Sequence, residues 1–170
     1  MKNNFTPATN ALITIPRGLK PIDHFEKGDA VSAISVKLYR GKIKLSSSKA
    51  KISFSTGNQY QSNKMVYMTL HRDDTPYLVC NSNLPFLLPN GKYTRADKLF
   101  SGQEIVDKNG KSLKIDNLSI KKHKGEARQI STDIKWDNTP NGHLLLINDI
   151  VVGDFILQVY FDQLPHEMIQ

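Results

Sequence analysis

The residues that could do chemistry in this chain stand apart from one another. Cys80 is the only cysteine among 170 residues, so neither an internal disulfide nor a multi-cysteine zinc site can form. It follows Leu78-Val79 in an apolar run, where a lone cysteine is expected to be a small core residue rather than a nucleophile. The histidines, His24, His71, His123, His143 and His166, show no metal-ligand spacing, and none adjoins an obvious Ser or Cys partner in sequence. No Gly-x-x-x-x-Gly-Lys phosphate loop occurs, and the carboxylates are scattered rather than paired for acid–base work. The expectation is no metal and no cofactor.

Charge is the next signal. The formal net charge is +7 and the pI is about 9.4, which raises nucleic acid or another polyanion as a partner. Basic residues gather within 40–51 (Arg40, Lys42, Lys44, Lys49, Lys51) and within 121–128 (Lys121, Lys122, Lys124, Arg128). The first group alternates with apolar residues such as Ile43 and Ile52, the pattern of a solvated strand face. Aromatic residues do not interleave with these lysines along the sequence, which argues against stacking on single-stranded bases. Hydrophobic residues make up 39% and charged residues 23%, the balance of a soluble domain. No apolar run reaches the roughly 20 residues of a membrane helix. The start MKNNFTPATN lacks the apolar centre of a secretory signal, so no membrane association and a cytoplasmic setting are expected.

Period-two alternation dominates the chain. Ile34, Val36 and Leu38 alternate with polar residues, as do Ile43 and Leu45, Ile52 and Phe54, Val66, Met68 and Leu70, and Leu113 and Ile115. Asp107-Lys108-Asn109-Gly110 between apolar runs predicts a hairpin, and many short strands predict an all-β domain. Only two brief helical turns are expected. One spans Ile22–Glu26 after Pro21; the other opens on a capping-box pattern at Thr94–Asp97 and ends at Phe100. The serine-rich stretch 46–64 reads as an exposed hairpin or insertion, residues 121–127 as a basic loop, and 156–170 as a C-terminal extension. These two helical turns sit in a repeat. Residues 14–31, TIPRGLKPIDHFEKGDAV, and 86–105, FLLPNGKYTRADKLFSGQEI, each run strand, Pro-x-Gly turn, helical turn, glycine, strand. Two copies this far apart indicate a pseudo-symmetric domain built from related halves rather than a solenoid.

The first copy, with its Pro-x-Gly-x-x-Pro-Ile and Gly-Asp-x-Val, resembles the opening of the Hint domain, the fold of hedgehog autoprocessing domains and inteins. Pro85-Phe86-Leu87-Leu88 followed by Gly91, Ala96, Leu99 and Gly102 looks like a later Hint block, and His143 through Asp154 looks like the closing strand pair. The resemblance covers about residues 4–155 and implies an all-β, pseudo-two-fold Hint-like fold.

It also implies where self-cleaving chemistry would reside, and those positions depart from the family pattern. Asn4 stands where a Cys or Ser nucleophile is expected, before Phe5 and Thr6; an amide cannot accept an acyl group as a thiolate or hydroxyl does. Asn81-Ser82-Asn83-Leu84 occupies the Thr-x-x-His block, so Leu84 replaces the assisting histidine. Gly153 and Asp154 take the places of the closing His-Asn, and Phe155 that of the acyl acceptor. His143 opens the closing strand and could reach this vestigial site. The candidate positions are therefore Asn4, Thr9, Asn81, Leu84, His143 and Asp154, with no confident catalytic residue among them.

Three readings follow. The first is a Hint-like module, not an enzyme, that has lost the acyl shift and serves as a scaffold or binds an unidentified protein partner. Only three residues precede Asn4 and fifteen follow Phe155, which leaves no evident payload to release and favours this reading. The second is an active self-cleaving domain using Thr6, Thr9 or Cys80 in a shifted register. The third is a basic nucleic-acid-binding β-domain.

Overall fold

Alternating sequence becomes alternating burial. The computed structural model describes residues 11–71 and 77–170, without the side chains of 56–63, 77 and 123–127. Among these residues the strands are β1 (Leu12–Ile15), β2 (Gly18–Pro21), β3 (Ala30–Tyr39), β4 (Lys42–Leu70), β5 (Tyr77–Asn81), β6 (Pro85–Leu87), β7 (Tyr93–Arg95), β8 (Glu104–Val106), β9 (Ser112–Thr132), β10 (Leu144–Ile147) and β11 (Ile150–Gly153). They form one connected sheet in the order β7-β6-β11-β10-β3-β4-β9-β8, with β1 on β10 and β5 on β4. One short helix, α1 (Phe155–Val159), and 3-10 turns at Ile22–His24, Ala96–Lys98, Phe161–Gln163 and His166–Met168 complete the fold. No helix among the described residues is long and apolar enough to cross a membrane.

The sequence repeat is a repeat of hydrogen bonds. In the first copy the Ile22 N–H donates to the Ala11 carbonyl, Gly28 to Ile52, and Ile52 back to Asp29, at 2.9, 2.7 and 2.8 Å. In the second, Ala96 donates to Leu84, Gly102 to Ile115, and Ile115 back to Gln103, at 2.9, 2.8 and 2.9 Å. Even the side-chain contacts match: the Asp29 carboxylate accepts from the Glu26 N–H at 2.9 Å, and the Gln103 carbonyl accepts from Phe100 at 3.2 Å. Gly28 and Gly102 hold φ of +96° and +91°, a region that costs an L-residue about 1–2 kcal/mol. Glycine is what lets the chain leave each helical turn and enter β3 or β8.

The two halves meet through the closing hairpin. Ile147 of β10 pairs with Ile13 of β1, and Val152 of β11 pairs with Phe86 of β6. Asn148 and Asp149 turn the hairpin with φ of 50° and 66°, the left-handed pair that a two-residue hairpin loop of matching twist requires. All eight strand residues of this hairpin are buried. One apolar cluster, including Ile13, Phe25, Ile52, Phe86, Ile115 and Val152, lies on one side. A second, including Ile34, Leu87, Tyr93, Leu144, Val151 and Phe161, lies on the other.

Several local expectations change. Residues 46–64 are no separate hairpin or insertion but part of β4, which pairs with β3 over 42–51 and with β9 over 52–70. Residues 121–127 are strand, not loop, in β9. Nonlocal pairing supplies in each case what serine-rich or lysine-rich sequence lacks in intrinsic strand preference, and the irregularity is absorbed by register shifts at Ile52/Phe54 and Asn58/Gln61. The Thr94 capping box does not form. Arg95 is the residue before the turn and no side chain caps it, because Thr94 is buried in β7 opposite Phe86. The Asp107–Gly110 hairpin is present, with the Asp107 carboxylate accepting from the Asn109 and Lys111 N–H groups at 2.8 and 3.0 Å. The C-terminal extension lies outside the repeat yet packs onto the second cluster through Phe161 and Leu164, and Ile169 bridges to Tyr93.

Equivalence of the two glycines is testable. Neither has a neighbour within 4 Å of an added Cβ, so only backbone strain opposes a side chain. Gly28→Ala and Gly102→Ala should each lose about 1–2 kcal/mol in urea unfolding, equal within error. A large difference between them would show that the halves are not energetically matched.

Candidate functional site

Leu144 and Gly153 are the last paired residues of the closing hairpin, so the residues just outside it, His143 and Asp154, face each other. The Asp154 N–H donates to the His143 carbonyl at 2.8 Å. Thr132, at the end of β9, completes the group. Asp154 Oδ2 accepts from the Thr132 N–H at 3.0 Å and lies 2.9 Å from His143 Nδ1. Its other oxygen, Oδ1, accepts from the Leu157 N–H at 2.9 Å, capping α1. The Thr132 hydroxyl donates to the Gly142 carbonyl at 2.7 Å. Both side chains of the His143–Asp154 pair are fully buried, and the Trp136 ring lies 5.7 Å from the imidazole.

Burial works against a charged imidazole. The hydrogen bond and charge of Asp154, helped by the nearby backbone of Ile134 and Lys135, outweigh it, and the His143 pKa stands above its ordinary value. His143 Nε2 makes no close hydrogen bond among the described residues. Among the described residues no hydroxyl or thiol bonds to that nitrogen, and Nδ1 is engaged by the carboxylate. Among the described residues the arrangement pairs an imidazole with a carboxylate that favours its protonated form.

Beside this pair is a cavity of about 60 Å³, lined in part by Ala11, Cys80, Asn81, Leu84, Gly153, Asp154 and Phe155. Small-molecule pockets usually exceed about 300 Å³, so a peptide group or side chain fits this one better than a metabolite. Positions far apart in sequence thus converge: Asn81, Leu84 and Asp154 line the cavity, and His143 reaches it through Asp154. Asn4, Thr6 and Thr9 lie outside the described residues. Cys80 also lines the cavity, but it sits in β5 within the first apolar cluster, and burial pushes its thiol pKa far up. Asn81 Oδ1 is buried without a partner among the described residues.

Two features escaped the sequence. Thr132 gave no local signal; only the return of β9 brings it to Asp154. Gly153 has no room for a side chain. An added Cβ would lie 2.8 Å from Leu157 Cδ2 and 2.9 Å from Pro85 Cγ. The helix that follows has filled that space. That helix was not among the two helical turns expected; Asp154 before Phe155-Ile156-Leu157 is the N-cap pattern that could have marked it.

The pair should control stability and its pH dependence. A histidine whose folded pKa is raised stabilises the fold fully below its unfolded value, about 6.5, and that contribution is lost as pH rises through the folded value. Urea unfolding from about pH 6 to about pH 9 should therefore show the gap between wild type and His143→Gln shrinking; a constant gap would remove the charged pair from the account. Asp154→Ala should cost about 3–5 kcal/mol, as when one member of a buried pair is deleted. A loss under about 1 kcal/mol would mean the carboxylate acts only as a helix cap.

Comparisons with known proteins bear on the fold. No protein-family model matches the sequence, and no curated protein matches it. Solved structures do. The chain is similar to a bacterial intein-like domain from Clostridium thermocellum, with 15% identity and a TM-score of 0.65 over 88% of this chain and 99% of that one. It is similar also to the Ssp DnaB mini-intein variant M86, with 18% identity and a TM-score of 0.63 over 86% and 91%. A DnaB intein from Synechocystis sp. PCC 6803 matches at 18% identity and a TM-score of 0.59 over 86% and 96%. Together with the pseudo-two-fold strand plan, these likenesses establish that the chain has the Hint fold of intein and intein-like domains.

Proposed function

We propose that this Hint-fold domain has lost the acyl-shift and terminal-cleavage chemistry associated with its fold and serves as a structural or protein-interaction module. The observation that carries this reading is the engagement of Asp154. Cyclisation at the closing position needs a side chain free to attack its own carbonyl carbon. The Asp154 carboxylate instead meets Thr132, His143 and the first turn of α1. The absence of room at Gly153 supports the same reading, since a histidine there would displace Leu157 or Pro85. Leu84, half-buried against the first cluster, brings no proton to the cavity. Asn4 stands where the resemblance expects the nucleophile.

One observation favours a second reading: Cys80 lines the same cavity as Asp154, so a self-cleaving domain in a shifted register would draw on Cys80, Thr6 or Thr9. Against Cys80 stands its raised thiol pKa, since the thiolate is the nucleophile.

Reporter domains fused to both ends separate the two. Intact mass after prolonged incubation, with and without thiol, should show the full-length fusion alone. Fragments from cleavage before Asn4 or after Asp154 would overturn the proposal. Alanine substitution of Thr6, Thr9 and Cys80 in turn would then identify the nucleophile.

A further inference from the structure

The net charge has an address. Residues 30–70, which make up β3, β4 and the turn between them, contain seven basic residues (Lys37, Arg40, Lys42, Lys44, Lys49, Lys51, Lys64) and no Asp or Glu. Elsewhere the sixteen remaining basic residues match the sixteen acids. The whole excess of +7 therefore lies on one strand pair.

The register arranges part of it on one face. Lys37 stands directly opposite Lys44, and Tyr39 opposite Lys42. Arg40 and Gly41 form the turn, with φ of 52° and 75°. Directly opposed residues share a face, with Cβ atoms about 4.5–5.5 Å apart, and residues two apart along a strand are about 6.6–6.8 Å apart. Near the base of the hairpin this face is core, through Val31, Ala33 and Ala50. Beyond Ser35 and Ser46 it emerges into solvent as Lys37, Lys44, Tyr39 and Lys42, all exposed. None of these lysines is ion-paired among the described residues, and like charges set directly opposite repel. Tyr39 is 58% exposed and its ring lies 5.3 Å from the Arg40 guanidinium. The expectation that no aromatic interleaves with the basic group therefore fails in space, because strand pairing sets Tyr39 among the cations. The apolar residues of the tip point the other way: Val36, Ile43 and Leu45 pack on the second cluster. Leu38 lies over Gly91, so close that an added Cβ there would meet its Cδ1 at 2.5 Å.

We propose that the outer face of the β3–β4 hairpin binds single-stranded nucleic acid, with Lys37, Arg40, Lys42 and Lys44 on phosphates and Tyr39 stacked on a base. Lysines spaced for successive phosphates around one exposed ring combine the two elements of strand binding, backbone charge and a π-surface. A lipid surface fits less well, because Leu38 is turned away from the cationic face.

Fluorescence anisotropy of the full chain with a labelled oligothymidylate of about twelve nucleotides tests this. Four phosphate contacts predict a log K against log[salt] slope of about −2.8, falling to about −0.7 in Lys37→Gln/Lys42→Gln/Lys44→Gln. Tyr39→Ala should weaken binding about tenfold at constant slope. Lys27→Gln/Lys98→Gln/Lys114→Gln removes equal charge from exposed positions elsewhere and should change binding little. An unchanged melting temperature shows that each variant is folded. No binding at low salt, an equal loss in the control variant, preference for a duplex of the same length, or binding to phosphatidylserine vesicles instead of the oligonucleotide would each overturn the proposal.

Discussion

The antiparallel pairing of β10 with β11 is the constraint on which the remaining structure depends. Each strand of that hairpin pairs with an outer strand of a different half, Ile147 with Ile13 and Val152 with Phe86. Without it the repeats would be two small units, each exposing an apolar face. A two-residue turn at Asn148–Asp149 holds the register, and a slip of one residue would send every inward side chain to the opposite face. The same register sets His143 opposite Asp154, so the polar cluster at the site follows directly from how the halves are joined.

At that cluster both oxygens of Asp154 are engaged, while His143 Nε2 and Asn81 Oδ1 have no partner among the described residues. A buried carboxylate is tolerated when charge and hydrogen bonds offset its desolvation. Asp154 has the imidazole and two backbone donors for this. The helix it caps places Leu157 against Gly153. The C-terminal segment then continues across the second cluster, where Arg95 meets Asp162 at 3.1 Å and lies over Phe161. Residues after the closing hairpin are thus built into the core.

Charge is distributed by a different logic from apolar surface. Burial accounts for the inner faces of β3 and β4 near the core. Toward the tip one face turns to solvent, and there the cations collect without acidic partners among the described residues. The hairpin consequently presents two faces, Val36, Ile43 and Leu45 inward and Lys37, Tyr39, Lys42 and Lys44 outward.

Much of the frame was legible in the residues. Alternation, Pro-x-Gly turns and the paired glycines depend on local backbone geometry, which is why the two repeats, the helical turns and the Asp107–Gly110 hairpin could be read before the fold was seen. The unsuitability of Asn4 and Leu84 for acyl transfer is likewise a matter of side-chain chemistry alone. The extent of β4 and β9 was not legible, because serine- and lysine-rich segments become strand only when a distant partner supplies the hydrogen bonds. Nor could local patterning place Thr132 beside Asp154, close off the space at Gly153, or set Tyr39 opposite Lys42. The sequence by itself determined the pseudo-two-fold all-β plan, since turns and periodicity act over a few residues. Only the tertiary structure decided what Asp154 binds and where the charge faces, since both arise from groups that meet only when strands far apart in the chain pair.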